Sequence, residues 1–409
     1  MKKSILQVVL LLTPMALGVP FAMDIYVPAL PQIAHIFRVS AGNMQLTLTV
    51  FMLTVGVVQL FFGPLSDHCG RKGLGLLMIS IFSAGTLLCS FAHSIYELVT
   101  YRIIQALGSG GMLILSRAIV RDIFDGEQSA KAYSFLGGIM AFSPMLAPFI
   151  GSYLDVSLGW PSTFLFLLIL ALAAFITLGL GLPETLMKSR RHQMKLTFLL
   201  EYGQIVKHPV FLMYTISTTM GLSYLYLFCS ISPYIIIRLL HIPEIDYGFY
   251  FCFMGISFFM GSMLSGYIVD KIGIYRTVLL GLFVTLIGGI IMAAWYFIVG
   301  LTIDNFVWPM LLIGTGGTLC MGAGNGGAMA PFPRRAGAAA ALLTSCQFSF
   351  SAILGAFLIY GSVSSTLPLA LPAIVFSVSG LIVFIICRPY LDFRLQSEHS
   401  VESKNQDGP

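Results

Sequence analysis

The sequence predicts an all-α integral membrane protein, twelve transmembrane helices in two pseudo-symmetric six-helix bundles. Three observations carry this. First, 57% of the 409 residues are hydrophobic and only 10% are charged, with a mean hydropathy of +0.91. A water-soluble domain carries roughly 25% charged residues. Second, apolar runs close to the ~20 residues that span a bilayer recur along the whole chain. Third, Lys and Arg fall almost entirely on one side of the alternation these runs define. The composition excludes a soluble enzyme with a polar skin, a disordered chain and a disulfide scaffold. The 7 Cys lie mostly inside apolar runs without framework or metal-type spacing and read as small core residues.

In chain order the expected spans are 5–29, 43–65, 74–94, 97–119, 133–154, 160–182, 209–237, 248–269, 276–300, 305–329, 336–361 and 367–387. The first begins Lys2-Lys3 and then turns apolar, as a signal peptide does, but it is long for one, lacks a small-residue cleavage site and contains Asp24. With the N-terminus inside, eighteen of the 22 Lys and Arg fall on inner segments, and only Arg38 and Arg238 on outer loops. That bias places both termini in the cytoplasm. The net charge of +5 reflects this distribution and gives no reason to expect nucleic acid.

A long basic connection, 183–208, divides an N-terminal bundle (1–182) from a C-terminal bundle (209–388), and 389–409 is a polar cytoplasmic tail expected to be disordered. A weak repeat supports the division. Gly63, Asp67 and Gly70 follow span two, and Gly266, Asp270 and Gly273 follow span eight with the same spacing. Parallel halves of six helices are a transporter plan.

The segment G-P-L-S-D-H-C-G-R-K (63–72) resembles the loop between helices two and three of the major facilitator superfamily, G-x-L-x-D-R-x-G-R-K, with His68 where Arg is usual. D-I-Y-V-P-A-L-P (24–31), Y-R-I-I-Q-A-L-G (101–108) and S-R-A-I-V-R-D-I-F (116–124) are similar to motifs of its Bcr/CflA-type drug:proton antiporters. A-P-F-I-G-S (147–152), after Pro144, resembles their helix-five antiporter motif, softened to small residues. The resemblance implies a twelve-helix, proton-coupled exporter of small amphipathic molecules in a bacterial inner membrane, working by alternating access. Its expected partners are substrate, protons and lipid, with no cofactor beyond the proton gradient and a monomeric state. A dedicated exporter of an endogenous metabolite such as a siderophore is the alternative, and a proton symporter importing a nutrient the third. No nucleophile, metal set or acid–base pair points to an enzyme. Gly322, Gly324 and Gly327 match G-x-G-x-x-G but end an apolar span, so they read as helix packing and not a dinucleotide loop.

Asp24 is the one carboxylate well inside a span. An intramembrane acid costs several kcal/mol and is functional by default; burial penalises its charged form, which a proton or a cation relieves. The competing view makes it a helix-end cap beside Pro28. Arg102 heads a stripe with Gln105, Ser109, Met112 and Ser116 on one face of span four. The resemblance links this Arg to proton transfer; the alternative is snorkelling to the outer surface. The substrate cavity is expected to include Gln105, Met140, Tyr224, Phe228, Phe251 and Gln347. Gly63, Asp67, Gly70, Arg71, Arg121 and Asp122 form the expected conformational latch, with Asp67 pairing across the halves. In span five, Pro144, Pro148 and Gly151 suit a bent, close contact, expected against span eleven.

Overall fold

The computed structural model describes residues 4–186, 197–359 and 365–406. Lys2, Lys3 and the basic run from Lys188 to Lys195 lie outside the described residues. Within the described residues the regular elements are helices: α1 (Ile5–Ala16), α2 (Gly18–Asp24), α3 (Leu30–Ile36), α4 (Ala41–Cys69), α5 (Arg71–Ser90), α6 (Ile95–Ile123), α7 (Gly126–Ala141), α8 (Ser143–Leu158), α9 (Pro161–Gly181), α10 (Thr197–Val206), α11 (Pro209–Pro233), α12 (Glu244–Val299), α13 (Ile303–Met329), α14 (Ala336–Ile359) and α15 (Leu367–Gln406). A π-helical stretch, Tyr234–Leu239, prolongs α11.

Ten helices, counting α7 and α8 as one, are long and apolar enough to cross a membrane, and α1 with α2 forms an eleventh, bent by 40°. The 56-residue α12 supplies the twelfth, because Gly273 inside it has φ 81° and ψ 165°. The chain reverses there. Before Gly273, Ser257 meets Gly314 and Ser265 meets Gly322, a parallel run; after it, Gly281 meets Gly316 and Gly288 meets Ile313, an antiparallel one. Gly70 between α4 and α5 has almost the same backbone, φ 94° and ψ 168°. An L side chain is disfavoured in that region, so the repeat noticed in the sequence is the same left-handed turn built twice. Gly63, by contrast, lies inside α4 with nothing near its missing side chain. It does not shape the turn.

Prolines place the other breaks. Pro14 sits inside α1 and lacks the N–H that would bond the Leu10 carbonyl, so span one bends just beyond it. Pro144 opens α8, and span five breaks at Phe142 two residues earlier, as expected ahead of a proline. Side-chain caps fix other starts: the Ser40 and Ser94 hydroxyls accept from the Asn43 and Glu97 amides, and Thr302 with Asn305 forms a capping box.

Helix also occurs outside the spans, and in the tail this departs from expectation. The connection 183–208 contains a helix, α10, which packs on the second bundle, where Ile205 joins the core and Arg335 donates to Gln204 at 2.6 Å, while the Tyr202 hydroxyl reaches the Leu60 carbonyl of the first at 2.9 Å. The polar tail continues α15 as helix to Gln406 and is not irregular. Extending an existing helix by one residue is far easier than nucleating one.

The ends of the bundle differ. One, the basic end, carries the turns at Gly70, Asp125, Gly273 and Pro333–Arg335; the other is the far end. At the far end both halves share one apolar core, in which Tyr26, Phe51 and Phe164 join Phe228, Phe251 and Phe306. At the basic end the second half has its own core around Ile205, Phe211, Tyr214, Val278 and Phe384. The halves join through α4 on α14, where Gly56 meets Ser345 and Ser349, and through α8 on α12, where Gly248 and Gly255 meet Phe149 and Met145. Gly151 packs on the Ile25 carbonyl, so closely that a side chain there has no room. Span five thus contacts spans one and eight. The expected contact with span eleven is not made, because span eleven is taken up by span two.

Candidate functional site

A cavity of about 510 Å³ separates the halves at the basic end. Its walls come from α1, α2, α6, α7 and α8 on one side and from α11 to α14 on the other. They run from Asp24 down to Met329 and Ala340, next to the basic turn at Pro333–Arg335.

Asp24 ends α2, is 1% exposed and forms part of the cavity wall. Its partner is in the other half: the Cys229 thiol of α11 donates to Oδ1 at 3.7 Å. A thiol is a weak donor, so an ionised carboxylate here is poorly compensated, and a proton or a cationic solute relieves it. Tyr247 of α12 lies beyond Cys229, its hydroxyl 2.7 Å from Ser232 Oγ. Asp24 is not a simple cap: Pro28 follows in a turn, and no side-chain cap bond is made at α2 or α3.

Arg102 is fully buried and does not snorkel. Its Nη1 donates to the Ala22 carbonyl at 2.8 Å and to Gln105 Oε1 at 2.5 Å. Its guanidinium lies over the rings of Phe51 and Tyr26, 4.1 and 4.5 Å from their centres. It makes no ion pair with Asp24. Among the described residues the three ion pairs involve Arg71 or Arg121 instead. Arg102 therefore ties span four to the backbone two residues before Asp24, and acts on the carboxyl only through that helix.

Of the six expected cavity residues, Met140 and Gln347 line the wall. The Gln347 amide donates to Asn325 Oδ1 at 2.9 Å. The other four do not reach the cavity. Gln105 donates to Thr86 Oγ1 within the first bundle. Tyr224 packs on Gly317 inside the second. Phe228 meets Phe251 edge-on and stacks on Phe306 at the far end. Tyr224 lies between Leu222 and Leu225, which line the wall, and like Gln105 it turns into its own bundle; for Phe228 and Phe251 the reason is depth. Phe258 shares a helical face with Phe251, two turns nearer the basic end, and does line the cavity; on α6, Leu113, Ser116 and Arg117 do the same below Gln105.

The latch residues assemble at the Gly70 turn. Arg71, 1% exposed, pairs with Asp67 at 2.5 Å and Asp122 at 2.8 Å, and Arg121 approaches Asp67 at 3.6 Å. All these partners are in the first half, so among the described residues Asp67 makes no pair across the halves. Sequence inspection missed Glu184, whose carboxylate accepts from the Arg71 and Lys72 amides at 2.9 and 3.2 Å, capping α5 where its N–H groups are free. The P-E-T-L run carrying it was legible only as part of a basic connection. Pro144 lines the cavity, while Pro148 and Gly151 face α2 and α12.

At the far end, polar contacts between halves close the route. The Gln45 amide of α4 donates to the Tyr226 hydroxyl and to Ser230 Oγ of α11, both at 2.7 Å, and Thr49 Oγ1 lies 3.1 Å from the same hydroxyl. Arg238 Nη2 donates to the Pro31 carbonyl at 2.8 Å. The Asp155 and Glu244 carboxyl groups share a hydrogen bond across the halves; within the first half, Gln32, with its amide nitrogen oriented towards Asp155, the assignment that satisfies both groups, donates to both Asp155 oxygens at 2.7 and 3.1 Å.

Comparisons with known proteins agree with this architecture. The family model described as Major Facilitator Superfamily matches residues 12–356. A chloramphenicol resistance protein of Pseudomonas aeruginosa is 30% identical over 83% of this chain and 80% of its own. A bicyclomycin resistance protein homolog of Haemophilus influenzae is 26% identical over 87% and 89%. Among solved structures, the xylose transporter XylE of E. coli, in a partially occluded inward-open conformation, superposes with a TM-score of 0.70 at 14% identity, over 94% of this chain and 97% of that one. A bacterial homolog of the human lysosomal transporter Spinster gives 0.71 at 16%, over 94% and 96%. With twelve crossings in two bundles around a central cavity and a family match over most of its length, the chain is a multi-pass membrane protein that belongs to the major facilitator superfamily, where it resembles the Bcr/CflA-type drug:proton antiporters.

Proposed function

We propose that this protein exports small amphipathic molecules, drugs among them, in exchange for protons across a bacterial inner membrane. The basic end is then cytoplasmic, as the Lys and Arg distribution implies, and the conformation described loads substrate from the cytoplasm with the outer route closed. The observation that carries the reading is the position of Asp24. It is a lone carboxylate on the wall of a largely apolar cavity, and its bond to Cys229 crosses the closed seam between the halves. A proton from outside and a solute from inside compete for that site, and each favours a different arrangement of the seam. Names of relatives such as the chloramphenicol, bicyclomycin and multidrug resistance proteins support drugs over an endogenous siderophore. The chain's own residues suffice for this work, with the proton gradient as the energy source and neither cofactor nor nucleic acid required. A monomer fits the cavity, which one chain encloses by itself.

The test is substrate-induced proton release. Purified protein is placed in proteoliposomes with a trapped pH dye, and a panel of amphipathic drugs and metabolites is added on the side of the basic loops. Export by exchange predicts proton movement opposite to the drug. Transport without proton movement, or in the same direction as the proton, would sink the reading.

A further inference from the structure

The cavity carries two charges. Besides Asp24, Arg117 lines it, is exposed there and is the only cation on the wall among the described residues. It follows Leu113 and Ser116 at i+4 and i+1 along the cavity face of α6. No carboxylate lies within ion-pair distance of it among the described residues, where the ion pairs are those of Arg71 and Arg121. The Tyr133 hydroxyl, also on the wall, donates to the Arg117 carbonyl at 2.9 Å and leaves the guanidinium unoccupied. Among the described residues the second half contributes neutral polar groups to the wall, such as Asn325, Thr344 and Gln347.

The charges sit at opposite ends. Span one and α6 run antiparallel, with Gly18 against Ser109 and Met112. Asp24 lies six residues beyond Gly18 towards the far end, and Arg117 five residues beyond Met112 towards the basic end. At 1.5 Å per residue the two backbones are roughly 16 Å apart along the axis. That separation suits an elongated polycyclic solute better than one the size of an amino acid.

We propose that Arg117 is a second recognition point, which selects amphipathic substrates bearing an anionic group, a carboxylate above all, so that the cavity takes zwitterions with the cation at Asp24 and the anion at Arg117. This rests on the cavity being the transport site. An unpaired guanidinium is tolerable while water fills the cavity. A solute that displaces the water must replace those hydrogen bonds, and a carboxylate does so in two parallel bonds, strengthened by the apolar wall. A solute with no acceptor at that end leaves the cation desolvated and binds less well. Arg121, one turn further along α6, is nearer the basic surface and already engaged with Asp67, so Arg117 is not needed as the interfacial anchor of this helix.

The test uses two dyes with the same aromatic cation. Rhodamine 110 has a free carboxylate; rhodamine 123 is its methyl ester. Binding to the purified full-length protein in detergent is measured by fluorescence anisotropy at neutral pH, which needs no transport. The wild type is expected to bind rhodamine 110 more tightly than the ester. Arg117→Gln should weaken rhodamine 110 about tenfold and the ester by less than about twofold, and Arg117→Lys should recover only part of the loss, because it restores the charge without the fork. Equal losses for both dyes, no loss, or a wild type indifferent to the carboxylate would overturn the proposal. So would displacement of rhodamine 110 by phosphatidylglycerol from the wild type but not from Arg117→Gln, which would assign the guanidinium to a lipid headgroup. Protein that binds as expected but releases no protons on drug addition would refute export and leave this site in place.

Discussion

The far end and the basic end of this molecule are held together by different kinds of interaction. At the far end the two halves share a core and exchange buried, neutral hydrogen bonds, Gln45 to Tyr226 and Ser230 above all. At the basic end the charged residues are partnered within the first half, Asp67, Arg71, Arg121 and Asp122 around one turn, and a cavity divides the halves. A carrier that rocks must break and reform its seals. Neutral hydrogen bonds contribute about 0.5–1.5 kcal/mol each, small enough for a seal to open on binding energy. Ion pairs kept inside one half can hold its shape without resisting the motion.

Three experiments probe that contrast, in decreasing order of effect. Asp24 bridges the seam and is the proposed titrating group, so Asp24→Asn should abolish uphill export. One proton at a driving force of ~150 mV is worth about 3.5 kcal/mol and supports a concentration ratio of a few hundred; the variant should fall to a ratio near one in inverted vesicles, while downhill exchange of a neutral solute survives. Asp24→Glu should keep part of the activity with a displaced pH profile. If the residue were only a cap, Asn would serve as well as Asp and Glu would be worse. Full proton-driven export by Asp24→Asn moves the coupling role elsewhere.

The far seal gives the second test. Tyr226→Phe removes the hydroxyl that Gln45 and Thr49 reach across the seam, leaving the ring in place. A loss of about 1–3 kcal/mol of closure should raise, by roughly tenfold, the rate at which a membrane-impermeant maleimide labels Cys229 from the far side. The other six cysteines are replaced beforehand. Cys229 is fully buried in the closed seam, so an unchanged labelling rate would mean that these bonds do not hold it shut. The smallest effect belongs to Asp67, which is 42% exposed as a side chain. Exposed pairs contribute little, about 0–1 kcal/mol, so Asp67→Asn should slow turnover a few-fold with substrate affinity intact. Collapse of affinity with turnover preserved would assign Asp67 to the cavity.

Much of this was legible in the sequence because a bilayer imposes simple rules. Span lengths followed from hydropathy, and the two turns at Gly70 and Gly273 from a repeat of three residues. Asp24 stood out because an acid inside an apolar run has few structural excuses. Depth was not legible. Periodicity assigned Phe251 to the right helical face, yet it lies above the point where the cavity closes, while Phe258, further down the same face, lines it; Gln105 instead turns to Thr86 of its own bundle. Which helices meet was not legible either: the small residues of span five announced a close neighbour, but only the fold shows that Ile25 and α12 fill that place. Glu184 was hidden for a different reason, since a capping role depends on a helix more than a hundred residues away.

The cavity has an electrical consequence. Filled with water and reaching the basic end, it carries the potential of that side up to Asp24, so the membrane voltage drops across the thin layer between Asp24 and the far surface. When the halves rock, the field is transferred to the other side of the carboxyl, and Asp24 crosses the voltage while scarcely moving. The step that is work against the field is then the one in which the site carries net charge: ionised Asp24 with a neutral cargo is charged, whereas ionised Asp24 with a monovalent cation is not. For an exchange at a fixed number of protons per solute, the voltage dependence of transport reads out the charge of the cargo.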